Sequence, residues 1–353
     1  MIEKYLEDLE KRIDPSVEDA LHGEWEDFWE GRFNEDIFAT ERRDVAPAGI
    51  EWPDIPINDA LDDYEKMAIR EFKSCSDVIS SRGNSALPNV RCNYGTGIMS
   101  SLFGCELFIM ERQHNTLPTT LPLTGGADAI RALLDKGVPE LDKALGGKVF
   151  GMGEYFAKLM RDYPKISKYV YLYHPDTQGP LDICELVWGS ELFVDLFDNA
   201  QLVHDFLGLI TETYIAFMKK WAEIVPFSGD YSVHWSAMHK GNIMLRDDSA
   251  MNLSPAMFSE FVMPYDSKLL ETFGGGCIHF CGRGEHYIEQ MCTMPGLFAI
   301  QMSQPHLNDM EKIFRNTVDK GIKILIFPPE YAGEYFRDGR SFHKNLHSRG
   351  WIS

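Results

Sequence analysis

The densest run of chemically capable residues in this chain is Gly274-Gly275-Gly276-Cys277-Ile278-His279-Phe280-Cys281-Gly282. On a β-strand, successive side chains point to opposite faces, so Ile278 and Phe280 share one face and Cys277, His279 and Cys281 share the other. Residues two apart on a strand stand about 6.6 Å from each other, which lets an imidazole and a thiolate reach one metal ion at about 2.0 to 2.3 Å. Cys277 and Cys281 are about 13 Å apart by the same arithmetic, so Cys277 drops out of any shared sphere. A histidine and a thiolate supply half of a zinc sphere, and a catalytic zinc needs a third protein ligand and an open fourth position. The plain alternative, which spacing alone favours, is a hydrogen-bonded core histidine next to a small buried thiol.

The elements that must position this run are short and alternate in type. From about residue 88, β-rich stretches ending in glycine- or aspartate-marked turns are each followed by a helical pattern, as in βαβ units on a parallel sheet. The expected strands are Asn89 to Tyr94, Lys168 to Tyr173, Tyr231 to Trp235, Cys277 to Cys281, Leu297 to Met302 and Ile322 to Phe327. Between them, Asp198 with Gln201 reads as a capping box, Ser254-Pro255 as an N-cap and N1 proline, and Asn308 with Glu311 as a second capping box closed by Gly321. Upstream, Ile2, Tyr5, Leu6, Leu9 and Ile13 recur at helical spacing, whereas residues 14 to 60, with Pro47, Pro53 and Pro56, read as an irregular arm or cap. No G-x-x-x-x-G-K-[ST], H-E-x-x-H or G-x-S-x-G is present, and Tyr287 stands where a dinucleotide fingerprint after Gly282 and Gly284 needs its third glycine.

Composition narrows the class. The chain has 353 residues, 34 basic and 54 acidic, for a net charge of −20 that opposes nucleic acid and anionic membrane as partners. Hydrophobic residues at 44% and charged residues at 25% are those of a globular protein able to build a large core. Seven scattered cysteines (75, 92, 105, 184, 277, 281, 292) and a charged start without a signal-like apolar run point to a reducing, cytoplasmic compartment. Gly97 to Met110 is the most apolar stretch, but Gly104 and Glu106 interrupt it well short of the roughly 18 residues of a membrane helix.

Beyond its own chemistry, the text resembles the uroporphyrinogen decarboxylase family, which includes zinc-dependent cobalamin:thiol methyltransferases. The matching text is Asp247-Asp248-Ser249-Ala250 with Leu253-Ser254-Pro255, Phe261 to Tyr265, Ile278 to Gly282, and the Gly179-Pro180-Leu181 turn, over roughly residues 85 to 330. The resemblance implies an α/β fold, a (β/α)8 TIM barrel over 81–353, with 1–80 as a helical and irregular N-terminal extension packed on it. Catalytic residues of such barrels sit on the loops after the strand C-termini. That rule selects Tyr94, Asp176, Asp247 and Asp248 as catalytic candidates, Gln178, Gln301 and Gln304 as substrate-binding candidates, and His279, Cys281 and Glu330 as metal ligands.

Two branches of that family imply different reactions. In the methyltransferase branch, zinc held by an H-x-C pair and a later ligand makes a thiol substrate a thiolate, which takes a methyl group from a methyl-corrinoid. His279 and Cys281 match the pair; the family's later cysteine has no counterpart in Ile322 to Ser353, where Glu330 after Pro328-Pro329 is the nearby substitute. The decarboxylase branch needs no cofactor: a carboxylate steadies charge on a tetrapyrrole while an acetate arm loses carbon dioxide. Its arginine-rich N-terminal motif is absent, and net charge −20 suits a polyanionic tetrapyrrole poorly. The expected function is therefore methyl transfer between a corrinoid and a zinc-activated thiol. Uroporphyrinogen decarboxylation is the second reading, and a non-catalytic barrel that docks a corrinoid protein the third.

Overall fold

The computed structural model describes residues 2–82, 85–227 and 229–349. Among the described residues, eight short strands are paired in parallel: β1 (Ile37–Phe38), β2 (Asn89–Val90), β3 (Tyr171–Leu172), β4 (Ile243–Arg246), β5 (Gly276–Phe280), β6 (Leu297–Met302), β7 (Lys323–Phe327) and β8 (Leu346–Ser348). Six of them form one sheet in the order β1-β8-β7-β6-β5-β4, and β2 pairs with β3. Helices separate most of these strands along the chain. The result is an α/β architecture with a six-stranded parallel sheet, of TIM-barrel-like kind. Among the described residues no helix is long and apolar enough to cross a membrane.

Period-two alternation sorts the residues of β4 and β5, and is interrupted in β6 between Leu297 and Ala299 and in β7 between Ile324 and Phe327, where the register shifts. Ile243, Leu245, Ile278, Phe280, Ile300 and Ile324 pack outward into the large core shared with the helices. Met244, Cys277, Ala299 and Leu325 belong to a second, smaller cluster on the opposite, inner face. Register aligns Met244 with Cys277 and Ala299, and one step further along aligns Arg246 with His279 and Gln301. The inner face is thus built in layers, an apolar row below and a polar row at the strand C-termini.

The first 80 residues do more than pack on this sheet. Helix α1 (Glu3–Arg12) buries the expected stripe of Tyr5, Leu6 and Leu9. The segment read as irregular contains a 15-residue helix, α2 (Pro15–Trp29), capped by Asp14, whose carboxylate accepts the Ser16 N–H at 2.8 Å, and started by Pro15 at N1. Leu21, Trp25 and Phe28 of α2 close the inner cluster from the strand N-terminal side, where the ammonium of Lys323, first residue of β7, lies 4.2 Å over the Phe28 ring. β1 then joins the sheet beside β8.

Other expectations need correction. Tyr231 to Trp235 is not a parallel strand but the first arm of an antiparallel hairpin, Tyr231–His234 with Ala237–Lys240, and the sheet strand is β4 just after it. Val233, Ala237 and Met238 place this hairpin in the inner cluster, and the Trp29 indole donates to Met238 O at 3.0 Å. Asp198 ends one helix (Leu192–Asp198), and the next (Ala200–Ile224) starts from Asn199 without a side-chain cap. Asp309, not Asn308, caps Met310–Asn316; Asn308 is taken up by the loop after β5, accepting Gly284 N–H at 2.7 Å and donating to Gly282 O at 2.9 Å. Ser254 caps its helix as expected, accepting Met257 N–H, and Gly321 ends its segment at φ +83°.

The hairpin carries two of three histidines whose rings pack edge-on or tilted against one another. His174, His234 and His239 are buried with ring centroids 4.3 and 4.8 Å apart in turn, and the His234 and His239 rings are hydrogen-bonded at 2.6 Å. Burial pushes His174 down to about 3, His239 down to about 4, and His234 well below its ordinary value. An unfolded histidine titrates near 6.5, so below about pH 6.5 the unfolded chain binds protons that the native state refuses. Stability on this account is complete above that pH and is lost progressively down to the folded value. Urea unfolding at stepped pH is expected to show the wild type losing about 2 to 3 kcal/mol more than His239→Gln between pH 7 and 4.5. Parallel stability curves for the two proteins would show that His239 pays no such penalty.

Candidate metal centre

The site is built where two strands end side by side. The ladder between β4 and β5 continues one step past Arg246, with Asp247 N–H donating to His279 O at 2.8 Å. The chain leaving β4 at Asp248 therefore runs beside the chain leaving β5 at Cys281, whose N–H donates to Asp248 Oδ1 at 2.6 Å. His279 Nε2 stands 3.4 Å from Asp248 Oδ1 and 3.3 Å from Cys281 Sγ. One potential ligand atom from each of Asp248, His279 and Cys281 lies within 4.8 Å of the others.

These donors suit zinc. Ligands at about 2.0 to 2.3 Å from a tetrahedral ion are separated by about 3.3 to 3.8 Å, the spacing His279 already keeps to both partners. The orientation of the imidazole is fixed from behind: His279 Nδ1 is hydrogen-bonded to Gln301 Oε1. A carbonyl oxygen can only accept, so the proton is on Nδ1 and the Nε2 lone pair faces Asp248 and Cys281, the usual arrangement behind a metal-bound histidine. Burial lowers the His279 pKa, with Asp248 and Gln301 pulling partly back, which favours the neutral, ligating form. Burial pushes the Cys281 thiol up to about 11, against the hydrogen bond to Ser303, so ionising it at neutral pH requires a compensating positive charge.

A third element holds the Asp248 turn. The helix Pro180–Trp188 starts at Gly179, whose N–H donates to Arg246 O at 2.8 Å. A Cβ on Gly179 would run into Asp247 Oδ1 and Arg246 O, so the chain needs glycine here. One turn on, Asp182 accepts the N–H groups of Asp248 at 2.9 Å and Ser249 at 2.8 Å. Asp247 points the other way, into the protein, against Asp266. Burial raises the pKa of both carboxyls.

The remaining expected residues divide. Asp176 and Gln178 are buried at the inner face beside the centre: Gln178 Nε2 donates to Asp176, which pairs with Arg246 Nε at 2.9 Å and Arg91 Nη1 at 3.2 Å. Burial would raise Asp176, but Arg246 and then Arg91 outweigh it and hold the carboxyl below its ordinary value. Gln304 shapes the loop, accepting Gly282 N–H at 2.6 Å. Tyr94 is fully buried in the outer core and lines no part of the centre. Glu330 is exposed in the first turn of Pro329–Arg337 and is not in the three-residue group. The third residue of that group is Asp248, on the neighbouring strand end.

Arg91, Arg246 and Trp235 are neighbours of the centre that sequence reasoning does not pick out. The sequence signal was an arginine inside an otherwise apolar strand in Ile243-Met244-Leu245-Arg246, which must find a buried partner. A cavity of about 300 Å³ opens beside the centre, lined by Trp235, His279, Gln301, Ser303, Ile326 and Arg349.

No known family profile matches the chain, and no curated protein does. Among solved structures it is similar to a methyltransferase from Methanosarcina mazei, with a TM-score of 0.60 and 16% identity, over 94% of this chain and 93% of that one. At that identity the likeness is one of fold.

Zinc titration of metal-stripped protein checks the centre. Gln301→Ala is expected to weaken zinc about 10- to 100-fold, and Cys281→Ala or Asp248→Ala by more. Glu330→Gln is expected to bind as the wild type does. Undiminished affinity in the Cys281 and Asp248 variants would remove these residues from the sphere.

Proposed function

We propose that the chain is a methyltransferase of the uroporphyrinogen decarboxylase type, moving a methyl group from a corrinoid to a thiol at the Asp248, His279 and Cys281 centre. The observation that carries the reading is that group itself: an N donor at tetrahedral spacing from an O and from an S donor, all three within 4.8 Å of one another, with the histidine held by Gln301 in its ligating tautomer. The fold likeness to a methyltransferase supports it. In this reading the eight parallel strands close into a (β/α)8 barrel. His174, accepting Met244 N–H at 3.0 Å, and the Gly179 to Arg246 bond tie the chain after β3 to β4.

Asp248, His279 and Cys281 would hold zinc, which would supply the positive charge that keeps a thiol substrate ionised at neutral pH. The protein's own residues do the rest. Gln301 keeps the imidazole in place, Asp182 fixes the turn that carries Asp248, and Trp235 and Ile326 wall the space where the acceptor lies. The thiolate sulfur would attack the methyl carbon of the corrinoid donor, forming the S–CH3 bond as the cobalt–carbon bond breaks and leaves its electron pair on the corrinoid. The donor arrives free or on a corrinoid protein. The decarboxylase reading is weaker, because the Asp176 carboxylate is engaged by two arginines and is not free to steady charge on a pyrrole.

Incubation of zinc-loaded protein with methylcobalamin and a thiol panel, followed by the corrinoid spectrum, is the test. The expected result is thiol-dependent demethylation that Cys281→Ala and Asp248→Ala reduce at least 100-fold, roughly the loss of a major charge-stabilising group. Carbon dioxide release from a porphyrinogen, with no demethylation by any thiol, would transfer the case to the decarboxylase branch.

A further inference from the structure

The inner-face hairpin ends at the metal centre, and its turn is unusual. Register pairs His234 with Ala237, so Trp235 and Ser236 form a two-residue turn, with φ of +48° and +66°. Turns of that kind favour Asn-Gly, because both central residues sit in the left-handed region, where a bulky side chain is strained. The chain holds Trp235 there from several sides. Leu87 N–H donates to Ser236 O at 2.9 Å, Asn89 Nδ2 donates to Ser236 Oγ at 2.6 Å, and Arg349 Nη2 donates to Trp235 O. Ile326, across the same cavity, is also left-handed at φ +58°, a rare conformation for a β-branched residue. Strain kept in place by this many contacts collects where a side chain must be aimed.

The indole it aims lies between two groups. Its ring meets the His279 ring edge-on at 5.0 Å and 77°, and the Arg246 guanidinium carbon stands 5.0 Å from its centroid. Two chambers adjoin it. One is the cavity of about 300 Å³ over His279, Gln301 and Ser303. The other, of about 330 Å³, is lined by Glu71, Arg91, Asn93 and Tyr173 among others. Trp235 is the one described residue that lines both. A chamber of about 300 Å³ is at the low end for ligand pockets, which run from about 300 to 1,000 Å³.

We infer that Trp235 is the specificity-determining residue of the centre: its indole walls the His279 chamber off from the Arg91 chamber and limits the acceptor to a small thiol. This rests on the thiol reading above. A compact thiol fits over His279 without moving the hairpin, whereas one whose body extends toward the Arg91 chamber would have to displace an indole that lies between His279 and Arg246.

Cobalt(II) in place of zinc gives a thiolate-to-metal absorption band that reports thiol binding without turnover. The probes are 2-mercaptoethanol and glutathione. Trp235→Gly removes the indole while supplying the residue that a left-handed turn prefers, so the hairpin is kept. This variant is expected to bind glutathione at least roughly tenfold more tightly than the wild type, with 2-mercaptoethanol little changed and Trp235→Phe like the wild type for both. A second readout needs no metal. Diethylpyrocarbonate modification of His279 in metal-free protein, followed by peptide mass, is expected to run severalfold faster in Trp235→Gly. An unchanged size profile and an unchanged modification rate would overturn the inference. If no thiol band forms in any protein, the thiol reading fails, and the modification rate alone decides whether the indole is a wall.

Discussion

The in-register pairing of β4 with β5 is the constraint on which the rest depends. It sets Arg246 opposite His279, and so brings the next residues out of each strand, Asp248 and Cys281, together at the mouth. A slip of one residue would turn His279 outward among Leu245, Ile300 and the helices and turn Ile278 inward. The outward residues Ile243, Leu245, Ile278, Phe280 and Ile300 oppose such a slip, each contributing about 1.5 to 3 kcal/mol by its burial. The placement of the donors is therefore decided by hydrophobic packing on the other face of the sheet, not by attraction among the donors. Asp182 and Gln301 act on a scaffold already in register, trimming the position of a turn and a ring.

The same layer explains a feature that stability alone does not. Arg246, Asp176 and Arg91 form a row of buried charges with side chains 2%, 11% and 12% exposed. Burying charges costs desolvation, and apolar residues of similar volume commonly serve a fold as well or better. The row nevertheless puts two guanidinium groups against one carboxylate directly below the mouth, in a chain whose net charge is −20. The row of three by itself thus carries a net charge opposite in sign to that of the molecule as a whole. Arg246 also presents its guanidinium to the Trp235 ring, so the charge row helps hold the indole that stands against His279.

What the sequence allowed to be read follows from how local each determinant is. β5, β6 and β7 were legible because each is a continuous apolar run between glycine or turn residues, the pattern of a strand buried on both faces. The H-x-C face was legible because period two needs no tertiary information. β4 was missed because it is four residues long and ends in arginine, and the hairpin before it offered a more β-like run. The hairpin itself was hidden by its turn, since Trp-Ser carries none of the Asn-Gly chemistry that marks such turns. α2 was misread although Asp14-Pro15 announces a helix start, because the prolines further on dominated the segment. The sequence points downstream of Cys281, to Glu330, for a third metal ligand, whereas the residue beside His279 and Cys281 in the structure is Asp248, from upstream. Neighbours on a parallel sheet are one crossover apart in sequence, so nothing local to Cys281 could indicate it.

How the interior is filled decides where chemistry can take place. An inner face lined by Met244, Cys277, Ala299 and Leu325 would leave space at its centre if the strands alone enclosed it. Here the hairpin contributes Val233, Ala237 and Met238, and α2 contributes Leu21, Trp25 and Phe28, making a dry cluster that extends from the strand N-terminal side. The cluster fills the inner face on the strand N-terminal side, and the cavity at His279 opens at the strand C-termini. Residues 14 to 38 and 231 to 240, far apart in the chain, thus act together as the base of the site. Substitutions that loosen Trp25 or Met238 would be felt at the mouth through the hairpin that carries Trp235, with no change to any donor atom.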